Sequence, residues 1–251
     1  IFIIIKPDYF VKKENQPEVS IEETSVQTPE PGEEKRIVDY IETDNYANKN
    51  LKFFYYIPSS IVNSQNPYPL IVWVPGLSDD GEKSLWQEYY DFAEQNGFAI
   101  ITPSFQFDEE NINKGMSYQF PDVWSGEAFI NMLNKAKENG LNYSQLYLSG
   151  FSAGAQFVSR FSLYRPDLVK ACAIMSSGGK VQPDERVKDI KYFYGVGLKD
   201  DDFRIENAKY FTSEAQKLGI SVEYKEYDFG HDMNNTEISD ILNFFKNTKD
   251  N

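Results

Sequence analysis

Apolar runs alternate along this chain with segments of helical spacing, and together they predict a layered α/β architecture. Leu70-Ile71-Val72-Trp73-Val74 is continuously apolar, as a strand buried on both faces requires. The same reading predicts strands at Phe98–Ile101, Gln145–Leu148, Val169–Met175, Tyr192–Val196 and Ser221–Tyr227. Between them, apolar positions at helical spacing predict helices over residues 83–96, 124–139, 155–161, 203–218 and 236–247. Gly140 and Gly219 stand where the second and fourth of these must stop. Residues 37–43 and 51–57 read as a hairpin joined by a polar turn from Asn45 to Asn50. Residues 177–190 leave little room for a long helix, and residues 104–122 are irregular. Strands alternating with helices give a mostly parallel sheet covered on both faces, with an antiparallel start and only a minimal cap.

The N-terminal stretch departs from this pattern. Ile1-Phe2-Ile3-Ile4-Ile5 is too short to span a bilayer, which needs about 20 apolar residues. It fits either the end of a signal or anchor segment or a short strand. Residues 12–36 are rich in Lys, Glu, Pro, Gln, Ser and Thr, as a solvated tether is. The expected organisation is a stub and tether over residues 1–35 and one folded domain over 36–251. A tether behind an apolar stub favours export or membrane anchoring over a cytoplasmic location.

Composition narrows the functional classes. The 251 residues are 41% hydrophobic, enough for a substantial core. A net charge of −14 argues against nucleic acid or an anionic membrane surface as partner. The single cysteine, Cys172, precludes a disulfide within the chain and reads as a small buried hydrophobe. No metal-ligand spacing is present, and no cofactor is expected. The chain has one histidine, His231, so any histidine-dependent chemistry has a single candidate base.

The densest chemical signal is Gly150-Phe151-Ser152-Ala153-Gly154, a G-x-S-x-G pentapeptide between a predicted strand and a predicted helix. In that context the turn projects the Ser152 hydroxyl at a helix N-terminus, placed for attack on an acyl carbon. The two glycines let neighbouring backbone pass close to the turn. Two further segments follow in the order Ser, Asp, His: Gly197-Leu198-Lys199-Asp200-Asp201-Asp202 after one strand, and Phe229-Gly230-His231 after the last.

From about Leu51 to Phe245 the chain resembles the α/β-hydrolase superfamily. Its pentapeptide resembles the elbow of small bacterial esterases related to polyhydroxyalkanoate depolymerases and feruloyl esterases. The resemblance implies Ser152 as nucleophile, His231 as base and Asp200 as the acid that orients it, with Asp201 and then Asp202 as alternatives. The three aspartates also suit a solvated turn capping the next helix. The oxyanion hole is implied at the backbone N–H groups of Ala153 and Leu77. Pro75 stands where the family commonly has histidine, but the donor does not come from that position.

The implied activity is hydrolysis of a carboxylic ester, small or polymeric, through an acyl-enzyme on Ser152. A peptidase of the same fold and a non-catalytic binding domain are the alternatives. Phe105, Phe107, Met116, Tyr118, Phe120 and Trp124 are candidates for either a substrate wall or the core.

Overall fold

The structure is a computed structural model that describes residues 32–43, 50–77, 80–105 and 117–249. The apolar stub and the tether up to residue 31 lie outside the described residues. Eight strands follow in chain order: β1 Lys35–Glu42, β2 Asn50–Ile57, β3 Tyr68–Val74, β4 Ala99–Pro103, β5 Tyr143–Phe151, β6 Val169–Met175, β7 Lys191–Gly197 and β8 Val222–Tyr227. They form one sheet in the order β1-β2-β4-β3-β5-β6-β7-β8. The first two pairings, β1 with β2 and β2 with β4, are antiparallel, and every other pairing is parallel.

Among the described residues five α-helices cover the sheet: α1 Gln87–Asn96, α2 Gly126–Glu138, α3 Ala153–Tyr164, α4 Asp202–Lys217 and α5 Asn235–Lys249. Strand alternation divides the buried residues between two cores. In β3, Leu70, Val72 and Val74 join Phe129, Phe157 and Phe211 from α2, α3 and α4. Ile71 and Trp73 join Tyr89 of α1 and Ile241 and Phe245 of α5 on the other face. The continuous apolar run is thus explained by helices on both sides. At the edge, β1 buries one face only, and Val38 and Tyr40 are exposed.

Two expected helices begin later than their periodicity suggests. The helix expected from residue 83 starts at Gln87. The Asp80 carboxylate accepts the Glu82 and Lys83 N–H groups at 3.1 and 3.5 Å and pairs with Lys52 at 2.9 Å, which holds this stretch as turns. The helix expected from 124 starts at Gly126, after a wider turn over Pro121–Ser125. Residues 177–190 contain one short turn of helix, Glu185–Val187. Cys172 is fully buried in β6, and burial pushes its thiol well above the ordinary range.

The order of pairing sets the place of the site. From β3 the chain goes to β4 on one side and then to β5 on the other. A crevice opens where the connections diverge, at the C-terminal ends of β3 and β5.

The start of α5 holds a buried acid. Asn234 and Glu237 form a reciprocal cap: the Asn234 side chain accepts the Thr236 N–H at 2.9 Å, and Glu237 Oε2 accepts the Asn234 N–H at 3.0 Å. Glu237 has no exposed surface and its Oε1 has no partner, so burial pushes its carboxyl from 4.5 up to about 8. Between those values the folded protein keeps a proton that the unfolded chain has released. The contribution of Glu237 to stability therefore falls as pH rises through this window and levels off above it. Relative to the parent protein, Glu237→Gln is expected to gain on the order of 2 kcal/mol between pH 5 and pH 8. Urea unfolding of both proteins at the two pH values measures this, and a difference that stays constant with pH refutes it.

Candidate active site

Ser152 occupies the turn between β5 and α3. Its backbone lies at φ 55°, ψ −112°, a conformation that costs a residue with a side chain about 1–3 kcal/mol. Tertiary contacts hold it there. The Ser152 N–H donates to the Met175 carbonyl at the end of β6, at 2.9 Å. A Cβ on Gly150 would lie 2.6 Å from the Gly154 carbonyl oxygen, and one on Gly154 would run into the carbonyls of Val74 and Pro75. The glycines therefore let α3 cross the end of β3, as the pentapeptide suggested.

His231 stands in the loop between β8 and α5, and Asp200 in the turn between β7 and α4. Two backbone bonds join these loops: Leu198 N–H to the Tyr227 carbonyl at 2.7 Å, and Lys199 N–H to the Phe229 carbonyl at 2.9 Å. Gly197 is needed where they meet, because a Cβ there would press on the carbonyls of Phe229 and Gly230.

The result is a continuous relay. His231 Nδ1 lies 2.8 Å from Asp200 Oδ2, and His231 Nε2 lies 2.9 Å from Ser152 Oγ. An ionised carboxylate can only accept, so Nδ1 carries the proton and Nε2 is left to accept from the serine hydroxyl. The Asp200 side chain is 1% exposed, which places its charge where water screens it least.

Of the three consecutive aspartates, the structure brings only Asp200 to the histidine. Asp201 is the N-cap residue of α4, with its side chain 66% exposed and no side-chain capping bond, and Asp202 opens the helix. Ala153 is buried at the first position of α3, where an N–H has no carbonyl of its own helix to bond. Leu77 is exposed two residues beyond Pro75, whose carbonyl lies against Gly154; residues 78–79 are outside the described residues.

Two neighbours of the relay make contacts that the sequence reading did not assign. The Phe151 ring stacks on the His231 imidazole, with centroids 4.8 Å apart and planes at 28°. Arg204 lies 3.2 Å from Asp200 Oδ1. The spacing of these two charges, four residues apart across a helix start, is a signal that the sequence does contain.

The aromatic segment goes mainly to the core. Phe105 stacks on Tyr118 at 5.0 Å and packs on Trp124 and Phe157, all buried; Phe107 and Met116 lie outside the described residues. A cavity of about 410 Å³ is walled instead by Trp73, Gly76, Leu85, Trp86, Phe151 and Met233, with the charged Lys83 and Asp232 also on its wall. It runs from the loop after β3 to the loop that carries His231. The Trp73 indole N–H is spent on Ser84 Oγ at 3.0 Å.

Among the described residues, no group of three or more acidic, cysteine or histidine side chains is arranged to hold a metal ion. No described helix is long and apolar enough to cross a membrane.

No protein-family model and no curated protein sequence matches the chain. Solved structures do: 1227 chains match it, so the fold is a common one that hosts more than one reaction. A ferulic acid esterase superposes with a TM-score of 0.68 at 14% identity, over 86% of this chain and 98% of its own. An S-formylglutathione hydrolase from Staphylococcus aureus gives 0.62 at 14% identity, over 85% and 99%. A poly(aspartic acid) hydrolase from Sphingomonas sp. KT-1 gives 0.59 at 16% identity, over 84% and 97%. With its mostly parallel eight-stranded sheet, helices on both faces and strand–turn–helix elbow, the chain has the α/β-hydrolase fold.

Proposed function

We infer that this chain is a serine hydrolase that cleaves carboxylic esters by acyl transfer. The observation that carries the reading is the unbroken relay Ser152–His231–Asp200 at 2.9 and 2.8 Å. Ser152 Oγ attacks the carbonyl carbon while its proton passes to His231 Nε2. Asp200 holds the imidazole in the accepting tautomer and stabilises the imidazolium that forms. The N–H groups of Ala153 and Leu77 hold the oxyanion. The tetrahedral species collapses as His231 gives its proton to the departing alcohol. Water then enters, loses a proton to His231 and attacks the acyl-enzyme, releasing the acid and restoring Ser152.

Trp73, Trp86, Phe151 and Met233 give the cavity beside the relay an apolar side that supports an apolar acyl or alcohol group, while Lys83 and Asp232 make the rest of its wall charged. Structural likeness to the ferulic acid esterase supports an ester substrate.

Turnover of short-chain p-nitrophenyl esters tests the reading. Ser152→Ala is expected to lower kcat by roughly 10³-fold or more, with an unchanged circular dichroism spectrum. His231→Ala should lose as much, because no second histidine stands in reserve. An active Ser152→Ala protein refutes the assignment. Gly154→Ala is expected to cost roughly 1–3 kcal/mol of stability, because the added methyl presses on the end of β3. It should also lower kcat more than it raises KM; thermal unfolding and steady-state kinetics together check this.

A further inference from the structure

The Asp200 carboxylate faces a guanidinium as well as the imidazole. Oδ2 receives the His231 Nδ1–H at 2.8 Å. Oδ1 accepts the Asp201 N–H at 2.8 Å and stands 3.2 Å from Arg204 Nε. The Arg204 side chain is only 16% exposed. Its Nη1 donates to the Ser176 carbonyl at 3.2 Å. Ser176 directly follows Met175, whose carbonyl receives the Ser152 N–H. Arg204 therefore ties the acid loop to the strand end that also holds the nucleophile.

Two further features bear on this guanidinium. A Cβ on Gly178 would lie 2.8 Å from Arg204 Nη1, so the chain after β6 passes close to the end of the arginine side chain. Arg204 is also the third residue of α4, where a cation opposes the helix dipole. A local preference is violated beside the relay, and the neighbouring carboxylate offsets the cost.

We propose that Arg204 is a positioning residue that sets the basicity of His231 through Asp200; the inference rests on the serine-hydrolase reading and deepens it. A carboxylate shared with a guanidinium has less negative field to spend on an imidazolium. Arg204 thus keeps His231 free to accept a proton at lower pH than Asp200 alone would allow. The Asp201 N–H anchors Oδ1 while Oδ2 serves the histidine, so the carboxylate plane is held and Arg204 acts on it through charge.

The other charges around the pair are few. Asp201 lies 3.8 Å from Arg204 Nε, and Asp202 begins α4 beside it. Lys199 on the same turn is paired with Asp228 at 2.9 Å, and Asp232 follows His231. On α3 and the end of β6 the adjacent polar groups, Ser152, Gln156, Ser176 and Ser177, are neutral, and the next charge on α3 is Arg160, which donates to Gln156 Oε1 at 3.3 Å.

His231 is the only histidine, so its imidazole C–H resonance is assigned without ambiguity in protein carrying no histidine tag. Proton NMR titration of that resonance in the wild type, Arg204→Lys, Arg204→Gln and Arg204→Met is the test. The neutral variants are expected to raise the titration midpoint by about 0.5–1 pH unit, while Arg204→Lys stays within about 0.2 of the wild type. The acid limb of Ser152 labelling by a fluorophosphonate should move with it. Arg204→Gln keeps a donor for the Ser176 carbonyl and serves if Arg204→Met folds poorly. A purely structural arginine would lower labelling rates without moving either midpoint, and coincident midpoints in folded variants overturn the proposal. A midpoint that moves in a protein whose Ser152 is never labelled overturns the hydrolase reading instead.

Discussion

Parallel pairing of β5, β6, β7 and β8 is the constraint on which the whole candidate site depends. Parallel strands deliver their C-terminal ends to the same edge of a sheet, whatever the sequence distance between them. Ser152 leaves β5, Ser176 leaves β6, the Asp200 turn leaves β7 and the His231 loop leaves β8. Residues 79 positions apart in the chain therefore meet at hydrogen-bond distance. Helices on both faces fix the strands in depth, because the apolar residues of each strand are divided between two packed layers.

Against that frame, the stress of the structure gathers around the relay. Ser152 and Ser176 are the non-glycine residues with positive φ among those described, and they lie at adjacent strand ends. Arg204 opposes the dipole of its own helix, and Glu237 is buried six residues beyond His231 with one oxygen unpartnered. Each conflict would cost stability in isolation. Each persists because surrounding contacts over-determine it, and strain of this kind clusters where side chains must be held in one geometry.

Much of the fold was legible in the residues. Continuous apolar runs gave the central strands, and helical spacing gave the five α-helices of the described residues, because burial on a face imposes its own period on the chain. Their starts were less legible where a side chain competes for backbone: Asp80 delays α1 by taking two N–H groups into turns. The fate of Phe105, Tyr118 and Trp124 was open, since an aromatic residue reads alike in a core and in a pocket wall. All three are buried, with Phe105 packed on Tyr118, Trp124 and Phe157, and the cavity is lined by residues from other loops.

The sequence by itself determined the order of strands and helices, the elbow at Ser152 and the single histidine available as a base. These are local matters of side-chain period, backbone freedom at glycine and simple count. Only the tertiary structure decided which of three adjacent aspartates meets His231, that a phenylalanine ring lies against the imidazole, and that Arg204 shares the carboxylate. Those contacts depend on where two loops from neighbouring strands are tied together. The bonds that tie them run through space between backbone groups that every residue carries, so no residue type marks them in advance.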